Sequence, residues 1–145
     1  MPKLREILKS NNGAALIIVL ITLLVLSILT ASAIYINMTN TRQVVSQKEY
    51  YQAYYLAYSG VEIGFSALMN NSELFSEFKN NANHTKTEKV YYGEGNLDEI
   101  DIAIKSSNDK KKVTITSTGL HKASGKSVTL TMYFPVDFPS LKKWE

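Results

Sequence analysis

Residues 13–36 read Gly-Ala-Ala-Leu-Ile-Ile-Val-Leu-Ile-Thr-Leu-Leu-Val-Leu-Ser-Ile-Leu-Thr-Ala-Ser-Ala-Ile-Tyr-Ile, and after Gly13 no charged residue appears until Arg42. A helix rises 1.5 Å per residue, so about 20 apolar residues cover the roughly 30 Å hydrocarbon core of a bilayer. The stretch therefore reads as a membrane-spanning helix. Ahead of it, Lys3, Arg5 and Lys9 outnumber Glu6. Basic residues are retained on the cytoplasmic side, so the N-terminus is expected inside and the following domain outside.

Working outward from this segment, most of the formal charge of +3 belongs to the first thirteen residues. The remainder is close to neutral, and the basic pI carries no signal for nucleic acid. The 145 residues leave one small domain beyond the membrane segment. The chain contains no cysteine, which excludes disulfides, thiolate catalysis and cysteine-held zinc or iron–sulfur centres.

Two kinds of processing compete with a plain anchor. Ala31-Ser32-Ala33 fits the A-x-A cleavage site of a secretory signal, although the apolar run continues past it through Ile34, Tyr35 and Ile36. Alternatively the chain is cut between Gly13 and Ala14, and the apolar helix stays on the mature protein. Both remain open at this point.

Helical character does not end at Ile36. No proline and only two glycines occur between Asn37 and Asn70. Helix formers Arg42, Gln43, Gln47, Lys48 and Glu49 lead into Tyr50, Tyr51, Tyr54, Tyr55 and Tyr58, and then on to Met69. A helix from Ala14 to Met69 would be about 84 Å long. Within it Ala53, Ala57, Gly60, Gly64 and Ala67 recur at spacings of four and three, forming one stripe of small residues. Two interior glycines cost about 2 kcal/mol relative to alanine. Close approach of a β-sheet is the expected compensation, in preference to a G-x-x-x-G helix pair, which belongs inside a membrane.

Beyond Met69 the pattern changes. Residues 70–72 and 80–87 are polar and irregular, with a short helix expected at Glu73 to Lys79. Val90-Tyr91-Tyr92 is a short strand candidate. Ile100, Ile102 and Ile104, then Val113, Ile115 and Ser117, then Val128, Leu130, Met132 and Phe134 alternate with polar partners. Turns at Ser107–Lys110 and His121–Lys126 join these into an antiparallel meander with one apolar face. The small-residue stripe is its natural cover. The fold class is thus α+β, a long N-terminal helix packed on a small antiparallel sheet. Its segments are 1–13, 14–36, 37–69 and 70–145. Phe138, Leu141 and Trp144 in the tail are expected to pack back on the domain.

The sequence gives no sign of an enzyme. His84 and His121 fall in polar loops where solvation is expected, and Asp98, Glu99, Asp101 and Asp109 read as a solvated face. No phosphate loop or nucleophile elbow is present. The run Lys110–Lys112 reads as a solvated turn with weak affinity at most for anionic surfaces. Asn83-His84-Thr85 fits a glycosylation sequon, of little meaning in a bacterial cell. No metal, cofactor, small-molecule substrate or nucleic-acid partner is expected.

The start Gly13-Ala14-Ala15-Leu16-Ile17 and the run Ala53-Tyr54-Tyr55-Leu56-Ala57-Tyr58-Ser59-Gly60-Val61-Glu62 together resemble type IV pilin-like proteins. They are most similar to PilX-type minor pilins and K-type minor pseudopilins, bacterial filament subunits. The resemblance implies a leader of residues 1–13, cleavage between Gly13 and Ala14 by a prepilin peptidase, and N-methylation of Ala14. It implies assembly through Leu16, Ile17 and Ile18 by a platform protein and an assembly ATPase, into a cell-surface filament with other pilins or pseudopilins. Major pilins carry a glutamate where this chain has Ile18. A subunit lacking that carboxylate leaves a neighbour's buried amine uncompensated. That implies a minor, tip-proximal or initiating subunit. Two alternatives remain: a pseudopilin of a type II secretion or competence DNA-uptake machine, or a single-pass membrane protein with an extracellular binding domain that never assembles.

Overall fold

Sixty residues without a proline, Asn11–Asn70, fold as one α-helix (α1) in the computed structural model, which describes residues 11–93 and 98–145. Residues 1–10 of the expected leader lie outside the described residues. Two compact units divide the chain, Met1–Val45 and Ser46–Glu145, so the second half of α1 belongs with the sheet.

Helix α1 ends where Asn71 turns extended, at φ −123° and ψ 100°. Its side-chain oxygen accepts hydrogen bonds from the backbone N–H groups of Glu73 and Leu74, at 3.1 and 3.0 Å, and so caps α2, Ser72–Asn80. Phe78 on α2 is fully buried. The β-strands are β1 (Thr85–Tyr92), β2 (Asp98–Ser106), β3 (Lys112–His121), β4 (Lys126–Pro135) and β5 (Lys143–Trp144). They lie in sheet order β1-β2-β3-β4-β5, every neighbouring pair antiparallel.

Alternation decides which side chains enter the core. Ile100, Ile102, Ile104 and Ser106 of β2 point the same way as Val113, Ile115 and Ser117 of β3 and Met132 and Phe134 of β4, and all are buried. They pack with Val61 and Leu68 of α1, Phe78 of α2 and Val136. Burying side chains of this size contributes about 1.5–3 kcal/mol each. The opposite face is polar: Thr116 pairs with Thr131 and Thr118 with Thr129 across the strands, and the last two hydroxyls lie 2.8 Å apart.

The sheet is larger than the three strands and short candidate that alternation predicts. Residues 85–87, expected to be irregular, open an eight-residue strand β1. Its inward row is Lys86, Glu88, Val90 and Tyr92, opposite Ile104, Ile102, Ile100 and Asp98. Charge at alternate inward positions hides the strand pattern, and pairing with β2 overrides it. Such inward charges are one way natural sheets blunt an exposed edge.

Candidate functional site

In the first unit, α1 carries its apolar side chains outward. Leu16 is 63% exposed and Ile18 61% exposed, and large apolar residues stay exposed through Ile36. Ile17 is half-buried. The helix is long and apolar enough to cross a membrane, and none of its most apolar window is buried. The hydroxyls within it are satisfied locally. Thr22 donates to the carbonyl of Val19, Ser27 to Leu23, Thr30 to Leu26 and Ser32 to Ile28, each at 2.8 Å. These bonds leave lipid, or another apolar helix, nothing polar to solvate. The backbone is helical at Gly13 and Ala14, and the side chain of Ala14 lies outside the described residues.

In the second unit, α1 lies against the inner face of the sheet through Ala53, Ala57, Gly60, Val61, Gly64 and Leu68, all buried. A Cβ on Gly60 would overlap Ser117 Oγ and Ile100 Cγ2. One on Gly64 would sit 3.1 Å from Ile115 Cγ2 and 3.2 Å from Ile102 Cγ2. Ala67 is exposed, contrary to the expectation that it continues the stripe. Spacings of four and three average 3.5 residues per turn, and a 3.6-residue helix drifts about 20° per seven residues against that repeat. After two repeats Ala67 has rotated off the sheet, and Leu68 takes the buried place.

Gly119 on β3 was not among the residues singled out from the sequence. A Cβ there would overlap Ala53 O and Ala57 N and would come within 2.7 Å of Leu56 Cβ. Backbone meets backbone at this point, with Gly119 of the sheet facing Ala53 and Ala57 of the helix. A glycine interrupting the Val113, Ile115, Ser117 alternation is the signal that could have found it.

The β4 side of the helix is closed by the C-terminal tail. Trp144 stacks on Tyr58 with ring centres 5.2 Å apart and planes 14° apart. Lys142 Nζ lies 3.0 Å from Glu62 Oε1 and 4.8 Å from the centre of the Phe65 ring. Of the three tail residues expected to pack back, Phe138 and Leu141 remain exposed and Trp144 makes the contact. The tail docks at its end and not along its length.

His121 lies on β3, and His84, in the loop before β1 as expected, is partly covered instead of solvated. His121 Nδ1 lies 3.0 Å from Asp98 Oδ1, and the Lys122 N–H donates to the same oxygen at 2.9 Å. Asp98 thereby ties the start of β2 to the β3–β4 turn. His84 packs edge-on against Phe78, with ring centres 4.7 Å apart. On the polar face Lys89 bonds Glu99 and reaches Asp101 at 3.2 Å, and these two carboxylates hold its ammonium above the usual lysine range. In the β2–β3 turn, Asp109 is held below the usual carboxylate range. The Ser107 hydroxyl donates to it at 2.5 Å and the Lys111 N–H at 3.2 Å. Each of these groups is an ion-pair or turn device. No cluster of three or more metal-type ligands occurs among the described residues.

A protein-family model described as PilX N-terminal matches residues 12–62, reaching the middle of the helix–sheet seam. Proteins of that type are structural pilus subunits. No curated protein and no solved structure matches the chain.

Proposed function

We propose that this chain, a PilX-type, type IV pilin-like protein over residues 12–62, is a minor pilus subunit that sits at or near the filament tip or initiates it. On this reading it enters the membrane with its N-terminus inside. A prepilin peptidase removes residues 1–13 and methylates Ala14. A platform protein and an assembly ATPase then withdraw the helix from lipid. The apolar surface from Leu16 to Ile36 is re-buried against the helices of other pilins, which the hydrophobic effect favours over exposure to water. The domain of α1 and the sheet stays outside and contributes binding surface, not catalysis.

The observation that carries the tip assignment is Ile18, an exposed aliphatic residue in an unbroken apolar surface. Nothing on the described helix between Leu16 and Ile36 offers a carboxylate to a neighbour's N-terminal amine. Stacking such a subunit repeatedly would bury one uncompensated ammonium per interface, at a cost of several kcal/mol. A terminal subunit avoids most of these burials. Labelling the protein and recording its position on individual filaments tests the proposal, together with Ile18→Glu. Label at one end for the native chain, and along the shaft for the variant, is the expected outcome. An even distribution of the native chain refutes the tip assignment.

A further inference from the structure

The two edges of the sheet are defended differently. Strand β1 carries Lys86 and Glu88 on its inward row and Lys89 on its outward row. Strand β4 carries its one charge, Lys126, at its first residue. Its segment Val128-Thr129-Leu130-Thr131-Met132-Tyr133-Phe134 holds seven residues, five of them β-branched or aromatic, with no charge, proline or glycine. That is the composition of segments that pair between chains when their edge is open. It is also self-complementary. In an antiparallel register centred on Thr131, Leu130 faces Met132 and Val128 faces Phe134 of a second copy, apolar against apolar on the inward side.

The C-terminal residues stand on this edge. Trp144 pairs with Met132 and Lys143 with Tyr133, and the Glu145 N–H donates to the Thr131 carbonyl at 2.9 Å. Two side-chain contacts on α1 hold them there, the Trp144–Tyr58 stack and the Lys142–Glu62 ion pair. The connection from Asp137 to Leu141 contributes an exposed ion pair, Asp137 with Lys79 at 3.9 Å, while Phe138 and Leu141 are exposed. The strap fills hydrogen-bonding positions in the middle of the segment.

We propose that Lys142–Glu145 is an edge guard that keeps β4 from pairing with the β4 strand of a second copy. The guard is local: a ring stacked on Tyr58 and one ion pair on Glu62 hold it. Because Trp144 is the one tryptophan of the chain, its fluorescence reports closure of the strap directly.

The test uses the full chain in detergent micelles against two variants, one ending at Leu141 and one carrying Trp144→Ala. Sedimentation should shift both from one copy per micelle to two or more, with strand circular dichroism retained. Hydrogen exchange at the edge-facing amides of residues 129 and 131 should slow. Adding Thr129→Lys at the exposed edge should return both to one copy, because a lysine there blocks edge pairing. The proposal is overturned if both variants stay at one copy with native strand content. It is also overturned if their association survives Thr129→Lys, or is accompanied by loss of the strand signal.

Discussion

Gly119→Ala places a methyl group where the sheet backbone touches the helix backbone, so it tests the seam more sharply than any substitution on α1. In an ordinary strand the change would stabilise by about 0.5–1 kcal/mol through reduced chain entropy. Here the new Cβ would overlap Ala53 O and Ala57 N, atoms that cannot rotate away. Relief requires α1 to lift from β3, which also loosens Gly60 against Ser117. Overpacking of a tight core costs about 1–3 kcal/mol, and a backbone obstacle belongs at the upper end, leaving a net loss of about 2 kcal/mol. For a unit of this size each kcal/mol moves the melting temperature by about 4–8 °C, so a fall of about 8–16 °C is expected. Loss of the β-sheet infrared band follows the transition without interference from the apolar helix, which stays helical in detergent. Gly64→Ala is the companion measurement. Its Cβ would meet only side-chain methyls at 3.1 and 3.2 Å, and the helix gains about 1 kcal/mol from alanine, so its melting temperature should change little. A Gly119→Ala protein melting within about 3 °C of the parent would refute the close-approach argument.

Three further outcomes follow from single contacts. Ser117→Ala should raise the melting temperature, because the Ser117 hydroxyl is buried with no hydrogen-bond partner among the described residues and such a group costs about 1–3 kcal/mol; a lower melting temperature would contradict this. Asn71→Ala removes the two capping bonds of α2 and should cost about 1 kcal/mol, read by denaturant unfolding, and an unchanged midpoint would show that the cap is dispensable. Ser107→Ala should move the Asp109 carboxyl up toward its ordinary range in an NMR titration, since the serine hydroxyl is the main cause of its depression. The sign follows from that depression: the turn gains from ionised Asp109 above the ordinary carboxylate range and loses this as pH falls through the lowered pKa.

The helix, the meander and the seam between them were legible because each rests on periodicity. Ile100, Ile102 and Ile104 point one way at period two, and Ala53 to Gly64 line one side of a helix. What was hidden rests on pairing and drift. Strand β1 puts Lys86 and Glu88 inward, so no alternation announces it, and only the ladder with β2 makes it a strand. Ala67 satisfies the local spacing and still turns away, because an error of 20° per seven residues accumulates. Gly119 becomes meaningful once Ala53 and Ala57 stand opposite it, and a pattern within one strand cannot name its partner across the core. Asp98 and His121 are 23 residues apart and meet through β2–β3 pairing, so each alone reads as a solvated polar residue.

The proposed life cycle begins with one bond, and measuring it is the most direct test. The full chain, produced with and without a prepilin peptidase, is purified from membranes and its intact mass recorded. On this life cycle, loss of residues 1–13 and a methylated Ala14 are expected only when the peptidase is present. An uncut chain in both preparations, or a new N-terminus following Ala33, would contradict it.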